Sequence, residues 1–169
     1  MEARPAVAND AGEIVRLARL MFESMGIDLS DATWEEEGRR HVRGRIGGDV
    51  AVFVVDDPIR PARLVASAAG VITRRLPTPS NEHGLVGYVQ WVCTDHGHRR
   101  RGLARQVMSA LLTWFEANDV AAVELHSTAV AESLYLSMGF DDSGSRALRR
   151  RARPPSAPAS PAAGTDSCA

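Results

Sequence analysis

The chain has no lysine: all 20 of its basic residues are arginine. It therefore offers no lysine amine for Schiff-base or general-base chemistry, and the bias reads as codon usage of a GC-rich genome, which points to a bacterial source. Cysteine is nearly absent too. Cys93 lies in an apolar stretch and Cys168 near the C-terminus, with neither metal-ligand spacing nor disulfide logic, so no metal is expected. No apolar run approaches the roughly 20 residues that span a bilayer, and residues 1–8 lack the basic-then-apolar pattern of an export signal. The expectation is a cytoplasmic protein with no membrane contact. A formal net charge of -1 argues against a nucleic-acid partner, despite the arginine triplets at 99–101 and 149–151.

What the sequence does contain is enough apolar material, 44% of 169 residues, for one domain over 1–151. Residues 152–169 are rich in Pro, Ala and Ser and read as a flexible tail. Asp10 with Glu13 resembles a capping box, and Ile14, Leu17, Ala18, Met21 and Met25 follow at helical spacing. Thr33 with Glu36 repeats the capping pattern before a second helix bearing Trp34, Gly38, Val42 and Ile46 on one face. Residues 50–55 and 64–76 read as a hairpin, and 87–94 as a further strand in which Gly87 marks a bulge or a close backbone approach. A strongly apolar helix over 102–118, a short strand over 120–125, a short helix over 129–138 capped by Gly139, and a weak strand over 147–151 complete the order. The sum is an α/β sandwich: helices flanking a mixed sheet.

The most informative stretch is 95–104, which joins the strand ending at Thr94 to the helix starting near Gly102. First-turn N–H groups of a helix have no intrahelical partner, and the helix dipole adds positive character there, so this glycine-bearing, arginine-rich entry suits a pyrophosphate. Arg99, Gly102 and Ala104 match the pattern Arg or Gln, two residues, Gly, one residue, Gly or Ala. About thirty residues later comes Leu134-Tyr135-Leu136-Ser137-Met138-Gly139-Phe140. In this order and context the two strings resemble the GNAT superfamily of N-acetyltransferases, over roughly residues 4–151.

The resemblance implies an acyl-CoA N-acyltransferase fold: a central, mixed, mostly antiparallel sheet flanked by about four helices. It implies acetyl-CoA as co-substrate, with Arg99, Arg100, Arg101, Gly102, Leu103, Ala104 and Arg105 around the pyrophosphate and Val92, Cys93 and Thr94 offering backbone to the pantetheine arm. His96 stands where family members often have proline, and the loop at Ser127 lacks the asparagine many of them carry; Ser127 is kept as a cofactor contact. Tyr135 resembles the family tyrosine near the CoA sulfur, a proton donor to the leaving thiolate.

The acceptor side is less marked. Glu82, His83, Glu124 and His126 are the candidate bases, with His126 the best placed at the end of a central strand. Glu23, Trp34 and Glu82 are candidate substrate contacts. The expected activity is direct acetyl transfer to a primary amine of a small molecule or peptide in a ternary complex. The competing class is a non-catalytic acyl-CoA-binding or regulatory module on the same scaffold. Strand-rich edges admit a homodimer.

Overall fold

The computed structural model describes residues 1–142 together with Gly144, Leu148 and Arg150. The strand expected over 147–151 and the tail over 152–169 lie outside the described residues, apart from Leu148 and Arg150. The elements run β1 (Arg4–Pro5), α1 (Ala11–Ser24), α2 (Thr33–Arg45), β2 (Val50–Asp56), β3 (Leu64–Arg74), β4 (Leu85–Thr94), α3 (Leu103–Ala117), β5 (Ala122–Glu124) and α4 (Glu132–Leu136). The five strands form one sheet in chain order. Neighbours are antiparallel except β4 and β5, which are parallel. The mixed sheet read from the sequence, mostly antiparallel as the family resemblance implies, is the one found.

β3 is the centre of the sheet, and residues Leu64–Val71 are buried without interruption. Its run of Ala66, Ala68, Ala69 and Gly70 explains why. A strand covered on both faces needs no polar alternation, and small side chains let helices approach closely. On one face α3 contributes Val107, Met108, Leu111 and Phe115 to the core. On the other, Ile14 and Leu17 of α1 and Val42 of α2 pack with Val52, Val54 and Cys93.

Gly87 is tight for a side-chain reason rather than a backbone one. A Cβ there would lie 2.7 Å from Phe115, and one at Gly70 2.6 Å from the same ring. The two glycines form the floor on which Phe115 rests. The bulge sits elsewhere: Ala69 pairs with Trp91 and Gly70 with Val89, which leaves Gln90 as the extra residue of β4.

Neither expected capping box forms. Asp10 instead accepts from the Val7 N–H at 2.9 Å and from Arg4, so it fixes the turn before α1. Glu13 turns away to Arg16 and to the Leu64 N–H. Thr33 is already the first residue of α2, and its N–H is taken by Asp31 at 2.9 Å. In both places a nearby arginine or aspartate outcompetes the local cap.

Candidate active site

β4 and β5 pair over only three positions, Val86 to Tyr88 against Ala122 to Glu124. Beyond Tyr88 the strands separate, while β4 continues to Thr94. The split opens a cleft of about 870 Å³. Its volume lies in the range of small-molecule sites.

One wall of the cleft is the end of β4, with Val92, Cys93 and Thr94. On the β5 side of the split no strand among the described residues pairs with these three. The mouth is the junction into α3, where Arg99, Arg100, Gly102, Leu103, Ala104 and Arg105 line the same space. Arg101 and Ser127 do not line it; Thr128, next to Ser127, does.

The junction has an unusual backbone. Arg100 (φ 63°) and Gly102 (φ 76°) are left-handed, and Gly102 is the residue that starts α3. For arginine that conformation costs on the order of 1–2 kcal/mol, whereas glycine adopts it freely. A Cβ at Gly102 would meet nothing within 4 Å, so backbone conformation, not crowding within the protein, makes glycine the fitting residue. Among the described residues the N–H groups of Arg100, Arg101, Gly102, Leu103, Ala104 and Arg105 have no hydrogen-bond acceptor. A helix start accounts for four of these; the left-handed turn adds the other two, so six free donors follow one another along a turn of the kind that binds anions.

Two side-chain atoms nearby share that state. Thr94 Oγ1 and His98 Nδ1 are buried, line the cleft and have no partner among the described residues. The arginines divide by role. Arg99 Nε donates to the Thr94 carbonyl at 3.3 Å and Arg105 Nη2 to Ser137 Oγ at 2.5 Å, while Arg100 and Arg101 make no ion pair among the described residues.

The junction is held in place from below. Asp95 Oδ2 accepts from Arg16 of α1 at 3.2 Å and from Arg63 at 3.1 Å. Burial pushes the Asp95 carboxyl up, but the Arg63 hydrogen bond, the Gly97 N–H and the two guanidinium charges outweigh it, so its pKa is lowered. The main-chain N–H of Asp95 donates to the Val65 carbonyl at 2.8 Å. The loop is thus pinned to the central strand.

Tyr135 projects from α4 into the cleft and is 9% exposed. Its ring stands edge-on to Phe140 at 5.8 Å. Burial raises its pKa above the ordinary tyrosine value, so the phenol carries its proton at neutral pH. The hydroxyl has no hydrogen-bond partner among the described residues. Ser137 ties this short helix to α3 by accepting from Arg105 and donating to the Leu134 carbonyl at 2.6 Å.

His126 also lines the cleft, exposed, with its ring edge-on to Tyr88 at 5.9 Å. Cys93 lies in the wall but is buried, and burial raises its thiol pKa to about 11 against the opposing pull of Arg99 and Arg16. Glu82 and His83 are exposed in the 77–84 loop, 3.7 Å apart, and line neither this cleft nor its neighbour. Glu124 is bound to Arg75 at 2.7 Å. Glu23 is bound to Arg19 at 2.9 Å and lies outside both cavities. Trp34 lines the neighbouring cavity. Sequence reasoning missed the bulged Gln90 and the ring of Phe22 where the two cavities meet, and the ring of Trp91 in the neighbouring one; the only signal for them was their position in or opposite an apolar strand. Among the described residues no group of three or more His, Cys, Asp or Glu is placed to hold a metal, and no helix is long and apolar enough to cross a membrane.

A family model described as an acetyltransferase (GNAT) domain matches residues 62–152, more than half of the 169. Among solved structures, the chain resembles one described as a predicted acetyltransferase with acetyl-CoA from Clostridium acetobutylicum, with a TM-score of 0.78 and 18% identity over 88% of this chain and 95% of the other. It resembles a GCN5-related N-acetyltransferase from Ralstonia eutropha, with a TM-score of 0.76 and 24% identity over 88% and 97%. Glucosamine-6-phosphate N-acetyltransferase from Arabidopsis thaliana gives 0.70 and 16% over 88% and 97%. No match was found among curated proteins.

Proposed function

Because the chain belongs to the GNAT acetyltransferase family, we propose that it is an N-acetyltransferase that moves acetyl from acetyl-CoA directly to a primary amine within a ternary complex. The observation that carries this reading is the run of unpartnered N–H groups from Arg100 to Arg105 at the mouth of a cleft that also holds a protonated tyrosine. The residues present fit an acyl-CoA. The nest suits its pyrophosphate, the free side of β4 at Val92 to Thr94 suits an extended amide-bearing arm, and Thr94 Oγ1 and His98 Nδ1 are buried groups that lack partners.

When bound, acetyl-CoA supplies an acetyl group activated as a thioester. The chain's own residues supply position and proton transfer. Main-chain N–H groups of Arg100 to Arg105 hold the pyrophosphate, with the flanking arginine side chains adding charge, and Thr128 takes the part first assigned to Ser127. An alkyl amine is protonated at neutral pH, and freeing its lone pair costs about 4 to 5 kcal/mol. His126, at the β5 edge of the cleft, accepts that proton directly or through water. As the new C–N bond forms and the C–S bond breaks, the Tyr135 hydroxyl gives its proton to the departing sulfur.

An acyl-enzyme route through Cys93 is disfavoured by the same structure. A thiol with a pKa of about 11 is thiolate in only about one molecule in ten thousand at pH 7. No histidine of the cleft forms a hydrogen bond to it among the described residues.

Acetyl-CoA-dependent thiol release over a panel of amines tests the proposal. Tyr135→Phe is expected to lower kcat about 10- to 100-fold with acetyl-CoA affinity little changed, and Cys93→Ala to leave turnover largely intact. Abolished turnover in a folded Cys93→Ala protein would sink direct transfer. Cofactor binding in calorimetry without turnover on any amine would instead favour a non-catalytic acyl-CoA-binding module.

A further inference from the structure

Next to the cleft, on the α1 and α2 side of the sheet, lies a second cavity of about 630 Å³. The two spaces meet at Phe22, Ile27 and Gln90, which line both. Gln90 is the bulged residue of β4, so the strand is bent where one space opens into the other.

The walls of the second cavity are aromatic. Phe22 stands edge-on to Trp34 at 5.2 Å and to Trp91 at 6.4 Å, and Val42 and Val52 close the base. Gly38 lets α2 sit this close, since a Cβ there would lie 3.2 Å from Val15 and 3.6 Å from Trp91.

Charge at the rim disfavours an anion. The ionisable groups lining the cavity are Asp28, Glu37, His41 and Arg45. Arg45 is already engaged by Asp49, and Glu37 by Arg40 at 2.7 Å. Asp28 caps the Ser30 N–H and has no cationic partner among the described residues. A phosphate would face an uncompensated carboxylate here and find no free guanidinium in the lining, whereas a flat, uncharged aromatic body meets three aromatic side chains and no such repulsion.

We propose that this cavity holds the body of the acceptor and that the acceptor is an arylalkylamine: a primary amine on a short chain from an aromatic ring. The assignment rests on the N-acetyltransferase reading of the adjoining cleft. The ring sits against Phe22, Trp34 and Trp91, and the amine passes Gln90 toward Tyr135 and His126.

Calorimetric titration of the full-length protein, free and saturated with CoA, uses 2-phenylethylamine, ethanolamine and glucosamine 6-phosphate as probes, and thiol release is measured with the same three. The aryl amine is expected to bind saturably and to exceed both others in kcat/KM by about tenfold or more. Trp34→Ala is expected to weaken its binding about tenfold or more, and Trp34→Phe to restore most of it. Equal or better turnover of either polar amine, no binding of the aryl amine, or unchanged affinity in a folded Trp34→Ala protein overturns the arylalkylamine assignment and leaves acetyl transfer standing. Trp34-dependent binding of 2-phenylethylamine without thiol release from any amine keeps the ligand class and overturns the catalytic reading.

Discussion

Gly102 and Arg101 are neighbours in an arginine-rich loop, yet the structure gives them different weights. Gly102 holds a left-handed conformation (φ 76°) at the start of α3, and a β-carbon there costs on the order of 1–2 kcal/mol of backbone strain. Relaxing that strain would reorient the N–H groups on either side of it. Gly102→Ala is therefore expected to weaken acetyl-CoA binding about tenfold in calorimetry, and Arg101→Ala, which removes an exposed side chain outside the cleft lining, by less than about threefold. Equal losses in the two variants would mean that side-chain charge, not main-chain geometry, dominates. The glycine and its arginines were legible because residue type at a strand-to-helix junction is itself the signal. The left-handed Arg100 was not, since arginine carries no sequence mark for that conformation.

Among the elements, β3, β4 and α3 depend on one another through small residues. Gly70 and Gly87 lie beneath Phe115, which is 1% exposed and has Trp114 beside it at 5.1 Å. Gly87→Ala would put a carbon 2.7 Å from that ring and is expected to destabilise the fold by about 1–3 kcal/mol. Gly44→Ala, in α2 with nothing within 4 Å of the new carbon, should instead be neutral or stabilising by up to about 1 kcal/mol. Urea denaturation midpoints decide between them, and a neutral Gly87→Ala would show that α3 can slide off its glycine floor. The long elements were readable from periodicity. β1 was not, because two residues form a strand only when β2 offers an edge, and α4 came out shorter than 129–138 because residues 129–131 form a turn that begins at the Thr128 carbonyl and residues 137–139 a second turn. The aromatic cavity was hidden for a similar reason: its three rings come from α1, α2 and β4, and no spacing along the chain joins them.

Across the whole molecule, one ion cluster ties distant segments together. Glu13 and Arg16 of α1, Arg63 before β3 and Asp95 after β4 converge below the junction. For Glu13 and Asp95 burial raises the pKa, but hydrogen bonds and neighbouring arginines overcome it, so both are lowered in the fold. Groups shifted this way stabilise the fold fully above their unfolded pKa values, near 4, and lose that contribution as pH falls through the lower folded values. Urea midpoints should accordingly hold from about pH 7 to 5 and fall below it as these carboxylates protonate. Asp95→Asn is expected to cost about 1–2 kcal/mol at pH 7 and to flatten the acid slope; an unchanged slope would locate acid sensitivity elsewhere.

The parting of β4 from β5 after Tyr88 also sets a pattern of protection in time. Val86 to Tyr88 carry strand partners on both sides, whereas Val89 and Trp91 to Thr94 have one only on the β3 side and the bulged Gln90 has none. Amide protons that point into the split are open to solvent in the resting protein and should trade for deuterium sooner than their neighbours bonded to β3. A ligand that lies along that edge should slow them selectively, so the sheet registers its own occupancy in its exchange rates.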